Sequence, residues 1–448
     1  MRRRSLRLWW ATLALTLAAC ASGPRATVRN EVEQRRLPEA LLAYERVRSN
    51  DGPDVGLLRH VAGLTLELAV EGDDVTVRDA ALSQLQRAGE RGRAVLGRLS
   101  DHGDVAVRAR ALEVRAAQGD AMARAELRSF TDSGDHEARA AAQAALDPQH
   151  AEDVALLRAS LSDASARVRR AAAVQLRAAE PNADVIAALE QAARVDPALT
   201  VRVAALHALG QQGSEAFPAL RERLSDPEEG VRMTALMALA MCDPTRAVGE
   251  LAAFLATPPS SSSVEAARLL ALRHEEAGAE AARAGEYLLS ALGHDDANVR
   301  AQAAVALSSL SSPESVFALD PETGAPRHEA ALLARLETET DRRARVVLAQ
   351  ILQRGERTQA AAEAVLREMM TGDDVPAVMA AVALSRAGDA AAVARLDAAL
   401  VDARATHRRI AAGAMAQDAG DADRARGALV DEDALTRVAA AGGILVAD

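Results

Sequence analysis

The sequence predicts an all-α fold, an α-solenoid of about twelve helix pairs stacked into a right-handed superhelical array. Three observations predict it. The phrase Val-Arg-x-x-Ala-Ala-x-Ala-Leu recurs between Val77 and Thr436 at intervals of 29 to 35 residues, with one interval of 45. A period that steady marks a stacked array. The phrase is helical, and its positions one, five, eight, nine and twelve share one face at 100° per residue. The chain is 49% hydrophobic but only 2% aromatic. A core of Ala, Leu and Val suits close helix packing better than a sheet.

The N-terminus opens on Arg2, Arg3, Arg4 and Arg7, followed by an apolar run from Leu8 to Ala19. That run is too short to span a bilayer as a mature helix, so residues 1–19 read as a cleaved signal peptide. It ends Leu17-Ala18-Ala19-Cys20. This resembles the bacterial lipobox, in which an aliphatic and two small residues precede the cysteine that receives diacylglycerol. Cys20 is therefore the expected lipidation site. Each buried acyl methylene contributes roughly 0.8 kcal/mol to membrane anchoring. The alternative is an ordinary secretory signal cut near Ala19 or Ala21, with Cys20 incidental. The arginine run is faintly similar to a twin-arginine signal. Ala21 stands where aspartate would signal inner-membrane retention, so the resemblance implies a cell-envelope lipoprotein of the outer membrane, facing the periplasm.

Residues 20–37 read as a lipid-anchored polar linker. Residues 38–70 hold two helical runs, Leu41–Val47 and Leu57–Val70, and read as an N-terminal helical cap. The array fills 71–448. Clear copies of the phrase begin at Val77, Val107, Val168, Val201, Val231 and Val299, and degenerate ones at Ala138, Val264, Ala344, Pro376, His407 and Thr436. Asp74, Asp104, Asp135, Asp296, Asp341, Asp373 and Asp433 each stand three residues ahead of position one, where an aspartate caps a helix start. Ahead of each turn runs a second amphipathic segment, such as Val154–Leu161 or Phe217–Leu224, so each unit is helix, turn, helix. The 45-residue interval contains a breaker-rich insertion over about 311–327, either a contact loop or a tether. A smaller one, Thr257–Ser263, precedes the seventh repeat. The C-terminus closes on Gly442-Gly-Ile-Leu-Val-Ala-Asp448, apolar where a terminal repeat should be polar. It either docks onto another molecule or frays.

The motif Asp-x-x-Val-Arg-x-x-Ala-Ala-x-Ala-Leu, at a spacing near 31, resembles bacterial HEAT repeats, including the subtype named after phycobilisome lyases, over about residues 60 to 448. The resemblance implies an arginine that meets the turn acid of a neighbouring repeat. The matching residues are Arg78, Arg108, Arg139, Arg169, Arg202, Arg232, Arg300, Arg345, Arg408 and Arg437. We read them as a structural ladder in preference to an anion-binding one. The pattern departs at Glu265 and Ala377, so the ladder should break near the seventh and tenth repeats.

The charge is −11 and becomes more negative once the signal arginines leave. Such a body repels nucleic acid, and the scarcity of aromatics removes a stacking platform for bases. Every basic residue apart from histidine is arginine, which excludes lysine chemistry of the Schiff-base or P-loop kind. No catalytic constellation, metal site or cofactor motif is found. His136-Glu137, His274-Glu275 and His328-Glu329 are His-Glu pairs of the type that holds di-iron in HEAT-fold deoxyhypusine hydroxylases, but they occupy inequivalent places in their repeats. Cys242 reads as a buried structural thiol, with a redox or partner-linking thiol as the alternative.

The sharpest functional expectation concerns positions three and seven of the second helices. In the first four repeats these read as a solvated face, ending with Arg170, Val174 and Arg177. From the fifth repeat they turn apolar: Val203, His207, Met233, Met237, Leu270, Val305, Val346, Val378 and Val382. A stripe of that length marks an interaction site, so we expect a protein partner in the cell envelope, bound along the concave face as a helix or extended peptide. The alternative is that packing between repeats buries these positions. The chain thus reads as a membrane-anchored scaffold. A HEAT-type metal- or chromophore-modifying enzyme, or a purely architectural spacer, is the competing reading.

Overall fold

A computed structural model describes residues 23–273, 277–310, 327–417 and 419–447. Cys20, the pair His274-Glu275 and the insertion over 311–326 lie outside the described residues. Among the described residues every regular element is a helix, and none is long and apolar enough to cross a membrane.

The chain divides into two units. One is residues 120–388; the other joins the N-terminal part to 119 with the C-terminal part from 389. The second of these begins with α1 (Pro24–Glu33), α2 (Leu37–Asp51), α3 (Val55–Glu71), α4 (Val75–Ala88), α5 (Arg93–Ser100) and α6 (Val105–Ala117). The 120–388 unit runs through α7 (Ala121–Arg128), α8 (His136–Ala142), α9 (Ala151–Ser160), α10 (Ala166–Leu176), α11 (Ala183–Val195), α12 (Leu199–Leu209), α13 (Phe217–Glu222) and α14 (Glu229–Cys242). It continues with α15 (Pro244–Phe254), α16 (Ser261–Leu272), α17 (Ala279–Ala291), α18 (Ala297–Ser308), α19 (Arg327–Thr338), α20 (Arg342–Leu352), α21 (Gln359–Met369) and α22 (Val375–Ser385). The C-terminal part holds α23 (Ala390–Leu400), α24 (Ala405–Met415), the single turn α25 (Ala419–Ala422) and α26 (Ala434–Val446).

Every copy of the repeat phrase lies on a helix, the second of its pair. The apolar face goes inward as the period requires: Val201, Ala205, Ala208 and Leu209 are buried on α12, and Val231, Ala235, Ala238 and Leu239 on α14. The alanines let helices approach closely. Gly210, at the end of α12, sits so near α14 that a Cβ there would lie 2.9 Å from the Ala238 Cα.

Helix starts follow the turn acids. Asp74, Asp104, Asp135, Asp296, Asp341 and Asp433 each accept backbone N–H groups of the first turn. Asp373 departs from the expectation; Asp374 caps α22 and accepts from Ala377 N. The cause is Pro376. A cap at 373 would reach the N–H groups of 375 and 376, and proline has none. The Thr257–Ser263 segment supplies a cap as well, because Ser260 and Ser263 exchange hydrogen bonds in a capping box at the start of α16.

Two expectations for the chain ends need correction. Residues 24–33, read as part of a polar linker, form α1. Pro24 starts it, and Val28 is fully buried, with Val32 packed against the same core. Helix α3, read as part of the cap, pairs with α4 as the first repeat. The C-terminus neither frays nor stands open. Helix α26 packs on α24 and also on α3 and α4 of the N-terminal part, and Gly442, Gly443, Ile444 and Leu445 are buried. The two glycines carry no side chain because Gly442 lies against Gln84 and Gly443 against Ala416. Arg91 donates to the carbonyls of Val446 (2.7 Å) and Ala447 (2.8 Å), and Arg59 also donates to Ala447 O. These arginines satisfy carbonyls that the end of a helix leaves without partners.

Candidate partner-binding face

The expected stripe is not continuous. Leu270, Val346 and Val378 are fully buried, so they present nothing to a partner. Successive second helices pack on one another, α14 on α16, α16 on α18 and α20 on α22. In this seam Gln350 Nε2 and Gln353 Nε2 both reach carbonyls of α22, those of Met379 and Ala383, at 3.4 Å. Val382 is half-buried and Val305 is exposed. The part of the stripe that stays accessible as a cluster lies on α12 and α14, where Val203, Met233 and Met237 are half-buried and His207 is exposed.

This cluster opens onto a pocket of about 360 Å³ lined by Arg170, Val174, Arg177, Thr200, Val203, Ala204 and His207. Arg170, Val174 and Arg177 share one face of α10, since residues four and seven apart on a helix align. Val203 and His207 face them from α12. Val174 is 48% exposed, unusual for a valine, and forms the apolar centre of the wall. Neither Arg170 nor Arg177 has a hydrogen-bond or ion-pair partner among the described residues, and no carboxylate lines the pocket. Burial, and then the neighbouring Arg177 charge, hold the His207 imidazolium below the usual histidine range. Sequence reasoning assigned Arg170, Val174 and Arg177 to a merely solvated face. The available signal was two arginines seven residues apart on one helix face, flanking a valine, with no acid three or four residues from Arg170.

Residues 186–273, which carry α12, α14 and α16, match the family described as HEAT repeats. Over that segment the chain is built of HEAT repeats. Among solved structures it is similar to the E. coli protein YibA, at 17% identity, covering 59% of this chain and 92% of that one, with a TM-score of 0.34. It is also similar to a Kap95:Nup1 complex structure (14% identity, 92% of this chain, 63% of that chain, TM-score 0.42). A third is Kap121p (13% identity, 92% and 62%, TM-score 0.37). The chain thus spans less than two thirds of the Kap95 and Kap121p chains. No curated protein matches.

The arginine of the repeat phrase has two jobs. First, it holds its own turn. Arg108, Arg139, Arg169, Arg202, Arg232, Arg300, Arg408 and Arg437 all donate from Nη1 to the carbonyl six residues earlier, at 2.6–3.1 Å. Arg78 does the same work through Val70 O and Gly72 O. Second, some arginines also reach the next repeat. Arg139 meets Asp163, Arg169 meets Asp196, Arg300 meets Glu339 and Arg408 meets Asp431, each through Nε and Nη2 in the two-pronged manner of a guanidinium on a carboxylate.

The acid that completes a rung stands five residues ahead of position one, not three. Its other bond fixes the turn: Asp163, Asp196, Glu339 and Asp431 each accept from the N–H two residues on. The acid three ahead caps the helix instead. Where the residue five ahead is Ser133, Pro259 or Thr371 there is no acid to complete a rung, and Arg345 takes Glu368 from α21, the helix after its own. Rungs of this form reach the fourth, fifth, ninth and twelfth repeats; Asp226 and Asp402 stand at the same place but are taken by Arg223 and by Arg404 and His407.

The remaining candidates behave as structural groups. Cys242 is buried, its thiol donates to Gly213 O at 2.8 Å, and burial pushes its pKa up to about 11. Glu137 is buried and ion-paired with Arg167 at 3.0 Å while His136 lies on the exposed side. Among the described residues no three His, Cys, Asp or Glu side chains are gathered as metal ligands would be.

Proposed function

We propose that this chain is a non-catalytic HEAT-repeat scaffold, tethered to the bacterial envelope by a lipid on Cys20, that binds a protein partner along the second helices of its fifth and sixth repeats. The observation that carries the binding reading is the accessible cluster on α12 and α14. Val203 and His207 on α12 line a pocket, and Met233 and Met237 are half-buried on α14, which packs on α12. Unbranched methionine side chains adapt to a partner's contour, and HEAT arrays suit a helix or extended segment laid across several repeats. The negative charge of the chain favours a protein over nucleic acid or an anionic lipid surface. The tether rests on the residues Leu17-Ala18-Ala19-Cys20 behind a basic start.

Two experiments test the two parts separately. Metabolic labelling with palmitate in a bacterial host should mark the wild-type chain and not Cys20→Ser; equal labelling, or none, rejects the tether. Replacing Met233 and Met237 together with glutamate should abolish retention of envelope proteins while leaving helicity intact. An unchanged retention profile rejects the binding face.

A further inference from the structure

We propose that the pocket between α10 and α12 recognises an acidic–apolar peptide segment, seating one apolar side chain on Val174, Val203 and Ala204 while a flanking carboxylate is taken by Arg170 or Arg177. This inference rests on the partner-binding reading above and specifies what the partner must carry.

The argument begins with charge. The chain is net acidic, and its arginines are in large part consumed by turns and carboxylates. On the same helix Arg169 is bonded to Asp196 at 2.7 and 2.9 Å and Arg167 to Glu137. Arg170 and Arg177 are left out of that pairing, although both face one cavity. His207 adds a third nitrogen-bearing group, and Thr200 a hydroxyl. Every polar side chain in the lining can donate a hydrogen bond, and none is an acid. A guanidinium fork matches a carboxylate better than any other common protein group.

Geometry then fixes the order of groups. Arg170 and Arg177 are two turns apart on α10, roughly 10 Å along the axis, and Val174 lies between them. Across the pocket stand Val203 and Ala204. The middle is therefore apolar and the ends cationic. An occupant must place a hydrophobic side chain centrally and negative charge beside it. A volume of about 360 Å³ holds one or two side chains, not a folded surface. Nucleic acid is disfavoured, because the lining offers no Phe, Tyr or Trp to stack a base and the net-negative chain repels a polyanion.

A random-peptide display selection on the full chain, with a parallel selection on the double variant Arg170→Glu/Arg177→Glu, tests this. Both side chains are exposed, so the variant should melt at the wild-type temperature. The wild type should enrich peptides with Asp or Glu next to Leu, Ile, Val or Met, and these should bind the variant at least tenfold more weakly. Changing their acid to lysine should restore binding to the variant and not to the wild type. Peptides that bind both proteins equally would overturn the pocket assignment while leaving the partner-binding face intact. No enriched peptide at all would overturn both. Displacement of the peptides by inorganic phosphate at equal concentration would overturn peptide recognition in favour of a small anion.

Discussion

The Tyr44 hydroxyl donates to Asp423 Oδ1 at 2.8 Å, joining residues 379 positions apart in the chain. Asp423 also takes Arg48 and Arg426, so one buried carboxylate collects two arginines and a phenol from the N- and C-terminal parts of a single unit. Burial first, and then the bond to Asp423, push the Tyr44 phenol well above its usual range. A raised pKa means that this stabilisation is complete below the ordinary tyrosine value of 10.0 and is lost at higher pH. Tyr44→Phe should cost about 1.5 kcal/mol at neutral pH, the lower end for a hydrogen bond to a charged group. Urea melts should show the gap between wild type and variant shrinking above pH 10.

The Arg300–Glu339 pair brackets the 311–326 insertion, and both side chains are nearly or wholly buried, at 8% and 0% exposure. Burial pushes Glu339 up, but the bonds from Arg300 and Arg335 outweigh it and hold the carboxyl down to about 2. A depressed pKa means stability present above the ordinary value of 4.5 and lost as pH falls toward 2. Glu339→Ala should cost about 3 kcal/mol at pH 7, since it strands a buried guanidinium. Thermal melts at pH 7 and pH 2.5 should show that penalty reduced in acid.

The split between complete and incomplete rungs predicts unequal penalties. Arg169→Ala leaves Asp196, 6% exposed, without its guanidinium and should cost about 3 kcal/mol. Arg202→Ala removes only a bond to its own turn, at Asp196 O, and should cost about 1 kcal/mol. Equal penalties in urea melts would argue that the turn bond alone matters.

Glycines in the C-terminal part separate contact from propensity. A Cβ at Gly443 would lie 2.5 Å from the Ala416 Cβ, whereas one at Gly413 meets Ala439 at an ordinary 3.7 Å. Gly443→Ala should destabilise by about 1–3 kcal/mol through overpacking. Gly413→Ala, in the last turn of α24, should stabilise by about 0.5–1 kcal/mol.

The fold was legible because its signals are local and repeated. The apolar period of each second helix and the Asp three residues ahead of it need only a few neighbouring residues, and Asp374 replaced Asp373 for an equally local reason, the missing N–H of Pro376. What was not legible depends on packing between helices. The acid that meets Arg169 or Arg300 lies in another repeat, 27 or 39 residues away, and two acids in the same turn compete for the assignment. Val346 and Val378 read the same as Val203 in sequence, yet they vanish beneath neighbouring helices while Val203 does not. Arg170 and Arg177 looked like ordinary solvated charges until α12 placed His207 and Val203 opposite them. The apolar C-terminus gave no hint of its cover, because α3 and α4 are more than 300 residues earlier in the sequence.

The central claim is that partners approach the α12–α14 face and not the outer helices. A photo-crosslinking amino acid at position 237, compared with one at the 83% exposed Met122, tests it in cells that express the chain. The account predicts discrete crosslinked partners from position 237, lost when Met233 becomes glutamate, and none from position 122. The same products from both positions, or from position 122 alone, would contradict it.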